Sequence, residues 1–164
     1  MNGDNKPVAL IGILADDGWV PNRIYSVGYE GLELQGLVDH LTAAKVSLVV
    51  DVRLNPVSRK RGFSKKSLTT ELDRMGIAYR HEPTLGNPQE NRESFRRGDG
   101  EEGRHRMRAV LNGSGAALQR LVEDARDKRV AVLCVERDRH RCHRQVITDV
   151  VQEMDPAIEV LQIL

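Results

Sequence analysis

Aromatic side chains make up only 4% of this 164-residue chain, and it holds just two cysteines, Cys134 and Cys142. So few aromatics leave little to stack single-stranded bases on. Two cysteines exclude a disulfide-stapled scaffold, and they are not arranged as the C-x-x-C pair of a structural zinc site. The apolar piece Val8–Leu14 is too short for a membrane span, lacks a basic flank, and is not a secretory leader. Bulk charge is missing too: a net +1 excludes a protein that coats nucleic acid by charge alone. No internal repeat or low-complexity tract is present. These absences predict a soluble, cytoplasmic protein with no membrane partner. The length suits one domain that buries its core without disulfides or metal.

What is present alternates between strand and helix patterns. Residues 1–22 read as an extension, with a strand at Val8–Leu14 and a turn at Asp16-Asp17-Gly18. A single domain spans residues 23–164. It opens with a short strand at Arg23–Val27, which ends in Gly28-Tyr29-Glu30-Gly31. Leu34, Leu37, Val38 and Leu41 recur at helical spacing, predicting a helix over Leu32–Lys45. Ser47–Val52 is nearly continuous in apolar residues, as strands buried on both faces are. Leu68, Leu72 and Met75 mark a second helix, stopped by Gly76, and Ile77–His81 reads as a third strand. Gln89–Arg108 is charged and glycine-interrupted, which predicts a mobile lid, partly helical towards Arg104–Leu111. Ala117, Leu118, Leu121, Val122 and Ala125 mark another helix, followed by a strand at Val130–Cys134. Val146 to Met154 reads as a helix, and Ile158, Val160 and Ile163 as a last strand.

Such alternation predicts an α/β protein, a three-layer α/β/α sandwich with a mainly parallel, Rossmann-like central sheet. Ligands in such folds bind at the carboxyl ends of strands. Here those ends are Gly28–Gly31, Asp51–Arg59, His81–Asn87 and Cys134–Arg144. Between Val52 and Thr70 there are six basic residues and no acidic one. Arg137, Arg139, Arg141 and Arg144 add to the same edge, and Arg92, Arg96 and Arg97 lie in the predicted lid. A near-neutral protein with one basic edge calls for an anionic ligand, most simply phosphate. A solvated basic loop that only aids solubility is the plainer alternative.

Cys134 ends a buried strand, where a free cysteine is often a small hydrophobe. Near arginines and a helix N-terminus it would instead be a nucleophile. A phosphatase-type loop needs arginine six positions after the cysteine, and His140 stands there, with no glycine in the loop. Rhodanese-type sulfur transfer shares the strand-terminal cysteine but also needs a glycine-bearing loop. Cys142 falls four residues before Val146, which places it on the apolar face of a helix. His143 and Arg144 in the first helical turn suit an anion, and His143 also suits acid–base work. A zinc site from Cys134, Cys142 and His143 is not expected, because adjacent helical residues rarely ligate one ion. Asp51 and Glu136 are general-base candidates or orient a neighbouring arginine, and Glu30 is a third carboxylate.

Ser26–Gly31, Asp51–Arg59 with Phe63–Lys66, Gly76–Tyr79, Leu85–Pro88, and Leu133–Glu136 with Cys142–Arg144 occur in one ordered series. In this series the chain resembles the domain-of-unknown-function 488 family from about Ile24 to its end. Asn87 stands where many members carry glycine, and Val27 replaces a more usual isoleucine. The resemblance implies a compact microbial α/β domain and no established reaction or cofactor. Three functions follow as expectations. The first is an enzyme acting on a phosphate-bearing substrate, a nucleotide or nucleic acid. Its catalytic candidates are Glu136, Asp51, His143 and Cys134. Arg53, Ser58, Arg59, Tyr29, Glu30, Gly86 and Arg144 would bind the substrate, with no metal. The second is a non-catalytic module for nucleic acid or a partner protein. The third is sulfur or acyl transfer through Cys134.

Overall fold

The computed structural model describes residues 20–97 and 100–163. The expected strand at Val8–Leu14 and its turn lie outside the described residues. Five parallel strands are arranged in the order β3-β2-β4-β1-β5. They are β1 (Arg23–Gly28), β2 (Leu48–Asp51), β3 (Ala78–His81), β4 (Val130–Cys134) and β5 (Glu159–Ile163). Helices α1 (Leu34–Ala43) and α2 (Lys65–Arg74) connect β1 to β2 and β2 to β3. Helices α3 (Gln89–Arg97), α4 (Gly100–Asn112) and α5 (Gly115–Asp127) lie between β3 and β4, and α6 (Arg144–Met154) joins β4 to β5. The fold is thus the three-layer α/β sandwich that the alternating pattern implies.

Given this strand order, chirality sets the layers. The steps from β1 to β2 to β3 run towards one edge of the sheet, and the later steps run towards the other. Right-handed crossovers therefore put α1 and α2 on one face and α4 to α6 on the opposite face. Two separate cores record this. Tyr25, Val27, Leu37, Leu41, Leu68, Leu72 and Leu133 pack in one. Ile24, Val50, Val132, Cys134, Met107, Leu121 and Ile147 pack in the other. Central strand β4 is buried throughout and alternates between them, Val130, Val132 and Cys134 to one side, Ala131 and Leu133 to the other. The reversal of direction falls at β4, between β1 and β2, and opens a crevice beyond its carboxyl end. Among the described residues, no helix is long and apolar enough to cross a membrane.

The charged segment after Gln89 is a correction: it folds as α3 and α4 rather than as a mobile lid. Buried positions recur every fourth residue, Asn91 and Phe95 on α3, then Gly103, Met107 and Leu111 on α4. The arginines around them obscure that period. Asn91 Nδ2 donates to Asn87 Oδ1 at 2.9 Å and to the Gly103 carbonyl at 3.0 Å, joining both helices to the loop after β3. Exposed pairs Arg97–Glu93 and Arg106–Glu102 add i,i+4 support worth a few tenths of a kcal/mol each.

Edge strand β3 is clamped to α5 by ion pairs. Arg80 reaches Glu82 at 3.0 Å and Asp124 at 2.7 Å, and Lys128 reaches Asp124 at 2.6 Å. Burial works to raise the Asp124 pKa, but Lys128 and Arg80 outweigh it and hold the carboxyl below its ordinary range. Its stabilisation is therefore complete above the unfolded value, about pH 4, and is lost as pH falls through the lower folded value. Asp124→Asn is expected to cost about 1–2 kcal/mol at neutral pH, the lower part of the range because Lys128 is half exposed. Urea unfolding at pH 7 and pH 3 checks this, since the deficit should shrink at the lower pH.

Candidate functional site

Beyond Cys134 the chain crosses the end of β1 rather than turning away. Tyr29 and Glu30 donate their backbone N–H groups to the carbonyls of Cys134 and Val135. A short 3-10 turn, Arg139–Arg141, follows, and Asp138 Oδ1 caps it by accepting from His140 N at 2.9 Å. Cys142 is buried, as expected, but it precedes α6 with an extended backbone (φ −133°, ψ 144°). His143 is the N-cap, with φ −63° and ψ −16°. The bend between these conformations lets two adjacent side chains converge on one point, which two neighbours inside a helix do not do.

They converge with Cys134. The Sγ atoms of Cys134 and Cys142 and a ring nitrogen of His143 all lie within 4.8 Å of one another, and all three residues are buried. His143 Nδ1 stands 3.9 Å from Cys134 Sγ and 3.8 Å from Cys142 Sγ. Its Nε2 is 2.9 Å from the Val52 carbonyl, which can only accept, so Nε2 carries a proton and Nδ1 is the ring nitrogen turned to the two sulfurs. The Cys134 thiol donates to Glu136 Oε2 at 3.3 Å. Arg144, fully buried, donates from Nε to Cys142 Sγ at 3.3 Å, from Nη1 to Ser26 Oγ at 3.0 Å, and from Nη2 to the Glu136 carbonyl.

These contacts divide the two thiols. The neighbouring Cys142, together with burial and the Glu136 carboxylate, pushes the Cys134 thiol well up. Burial also acts to raise Cys142, but Cys134, His143 and Arg144 outweigh it and bring it well below the ordinary thiol range. Burial and the charge on Cys142 raise Glu136. Burial alone would lower His143, yet Cys142 and the bond to Val52 raise it. The direction at Cys134 is opposite to what a thiolate nucleophile requires.

A cavity of about 290 Å³ opens above the cluster, lined by Glu30, Asn87, Arg92, Phe95, Arg96, Val135, Glu136, Asp138, Arg141, Cys142 and His143. A second cavity of about 190 Å³ adjoins it, sharing Asn87, Arg92, Arg96, Val135, Glu136 and His143 and reaching Cys134. Together they form the crevice beyond β4. Two of the bordering carboxylates are engaged by backbone, Glu30 by Arg137 N and Asp138 by His140 N. Arg92 and Arg96 form no ion pair among the described residues, and Arg141 donates only to the Arg96 carbonyl, at 3.3 Å.

The sheet separates the other candidates. Asp51 lies on the α1/α2 side, fully buried, and accepts from Arg53 Nε at 2.9 Å, Arg53 Nη2 at 2.6 Å and the Tyr79 hydroxyl at 2.6 Å. Arg53 Nη1 donates to the Phe63 carbonyl and to the Tyr29 hydroxyl, and Tyr29 stacks on Phe63 at 4.3 Å. Arg53 borders the smaller cavity, but each guanidinium nitrogen has a protein partner facing inward. Ser58 Oγ accepts from Lys60 N, and neither Ser58 nor Arg59 lines the two cavities. A Cβ on Gly86 would lie 2.6 Å from Leu54 Cα, so this glycine allows two loops to touch. The structure therefore brings Glu136, His143, Cys134 and Glu30 to the crevice with Arg144 beneath, leaves Asp51 and Tyr29 in the opposite core, and sets Arg53 at the border of the smaller cavity with its donors turned to Asp51, Tyr29 and Phe63. Asn87, Arg92, Arg96 and Arg141 also line the crevice; the sequence marks the three arginines as part of a basic edge and lid and Asn87 as a strand-end residue, but not as members of the site. Their signal in the sequence is that shared basic edge, which does not tell which of its many arginines face the cavity.

A sequence profile for a domain of unknown function, DUF488, matches residues 33–151. The chain belongs to this family. The matched DUF488 span holds Cys134, Glu136, Cys142, His143 and Arg144, and also Asn87, Arg92, Arg96 and Arg141; Gly28 and Glu30 precede it. No curated protein and no solved structure gives a significant match to this DUF488 chain.

Proposed function

We propose that this DUF488 protein is an enzyme acting on a phosphate-bearing substrate, a nucleotide or the end of a nucleic acid, in the crevice beyond β4. The observation that carries the reading is the pairing of a basic rim with a titratable floor. Arg92, Arg96 and Arg141 face a cavity whose base holds Glu136, Cys142 and His143. Guanidinium groups without carboxylate partners bind phosphate oxygens bidentately. A volume near 290 Å³ is at the small end for a ligand site, suited to a phosphate and the sugar next to it. Glu136 stands in both cavities and is the group placed to hold or move a proton. Arg144 and Arg53 have no part in gripping the anion, because their donors already have protein partners.

Calorimetric titration with inorganic phosphate and with nucleoside mono-, di- and triphosphates tests this. Arg92→Ala, Arg96→Ala and Arg141→Ala are each expected to weaken phosphate binding about 10- to 100-fold, the effect of one lost charge-assisted hydrogen bond. Unchanged affinity in all three variants overturns the reading. Binding that falls steeply with salt but survives Glu136→Gln, with no turnover of any bound nucleotide, favours a non-catalytic nucleic-acid module.

A further inference from the structure

We propose that Cys134, Cys142 and His143 hold a zinc ion at the floor of the crevice, with its fourth position open to the cavity. Geometry supplies the first argument. Zinc bonds of about 2.3 Å to sulfur and 2.0–2.1 Å to nitrogen in a tetrahedron place S and N about 3.6 Å apart. The observed Sγ–Nδ1 separations of 3.9 and 3.8 Å are within a few tenths of that. The second argument is the imidazole. A metal-binding histidine donates its other ring N–H to a carboxylate or carbonyl, which fixes the tautomer and aims the lone pair. His143 does this through Nε2 and the Val52 carbonyl at 2.9 Å, leaving Nδ1 directed at the two sulfurs.

Charge and softness agree. Two thiolates neutralise a divalent ion, and buried Arg144 is offset by Glu136 beside the cluster. Arg144 Nε supports the Cys142 sulfur at 3.3 Å, as an outer-shell donor to a metal thiolate does. Thiolate and imidazole donors select zinc over magnesium or calcium. Three protein ligands and no fourth among the described residues is the pattern of a reactive site rather than a closed structural one. The cavity supplies the open side, since it is lined by Cys142 and His143, and its neighbour by Cys134. Adjacency of Cys142 and His143 is no obstacle, because the chain bends from extended to helical between them.

The zinc site itself stands without the proposed function. The test uses the full, reduced, metal-stripped chain titrated with Co²⁺ and then with Zn²⁺. One Co²⁺ per chain is expected, with thiolate charge-transfer absorption and the intense visible bands of a tetrahedral complex, displaced by Zn²⁺. Cys134→Ser, Cys142→Ser and His143→Ala should each weaken binding more than about 100-fold, beyond the effect of an outer-shell partner. Because these variants remove buried groups and can unfold the chain, the wild type carries an independent readout. Zn²⁺ should raise its melting temperature and shield both thiols from alkylation. A folded, reduced wild type that takes up no Co²⁺, or takes it up without charge-transfer absorption, overturns the proposal. So does isolation of the cytoplasmically expressed chain with a Cys134–Cys142 disulfide that survives mild reductant. Metal binding with no phosphate binding would sink the proposed function and keep the zinc site. Phosphate binding without metal would do the reverse.

Discussion

Asp51→Ala is expected to cost about 3–5 kcal/mol of folding stability, the range for removing one partner of a buried ion pair. Arg53 and Asp51 side chains are 4% and 0% exposed, so the guanidinium left behind has little access to water. The carboxylate also accepts the Arg53 backbone N–H at 3.1 Å and the Tyr79 hydroxyl at 2.6 Å, and all of these donors lose their acceptor together. Burial and the bond to Asp51 raise the pKa of Tyr79, so this phenol remains neutral and still needs a partner. Adding Arg53→Met to Asp51→Ala should recover part of the loss, because the stranded charge is removed. Urea unfolding of the two single variants and the double variant measures this. A single-variant cost below about 1 kcal/mol would show the pair to be dispensable. Phosphate affinity of folded Asp51→Ala should stay within a few-fold of wild type, since Asp51 lies across the sheet from the cavity that Arg92, Arg96 and Arg141 line. A general base at Asp51 would instead give a folded protein without activity.

Gly28→Ala is expected to be as damaging, for a steric reason. A Cβ there would stand 1.9 Å from the Glu136 carbonyl oxygen, 2.5 Å from its carbon and 2.8 Å from Arg144 Nη2. The first two are backbone atoms, which no rotamer change can move. Forcing a methyl group into a packed interior costs about 1–3 kcal/mol and more when backbone must shift, so a loss of about 3 kcal/mol or more is expected. The displaced segment is Cys134–Glu136, and Arg144 would lose its carbonyl partner. Metal and phosphate binding should therefore fall at least about 10-fold in the fraction that remains folded. Gly115→Ala is the control: it opens α5, its Cβ meets nothing, and it should be neutral or stabilising by up to about 1 kcal/mol. A Gly28→Ala protein as stable as this control would show that Glu136 does not lie across β1.

Much of the layout is legible in the residues. The apolar run at Val130–Cys134 reports a strand covered on both faces, and the spacing of Leu37, Leu41, Leu68 and Leu72 reports helices with one buried side. Helices α3 and α4 are harder to see, because charged side chains mask a period carried by Asn91, Phe95, Gly103 and Met107. Cys142 shows the limit of extrapolating a helix backwards. Its spacing to Val146 reports burial correctly, but the backbone there is extended, and a pattern of apolar residues does not report φ and ψ. That one difference turns a packing residue into a member of the cluster.

The two faces of the sheet mark the boundary between what the chain order holds and what the fold decides. Local spacing determines which residues stand at strand ends, so Asp51, Arg53, Cys134, Glu136 and His143 all emerge from the sequence as one polar edge. The side of the sheet on which each one works is set by crossover handedness and by the parity of its position along the strand. Asp51 on β2 and Cys134 on β4 fall on opposite faces, so one polar edge becomes a buried structural pair on one side and a cysteine–histidine cluster under an arginine rim on the other. Alternation is local, but strand order is a long-range property, and only the folded sheet brings Arg92, Arg96 and Arg141 over His143.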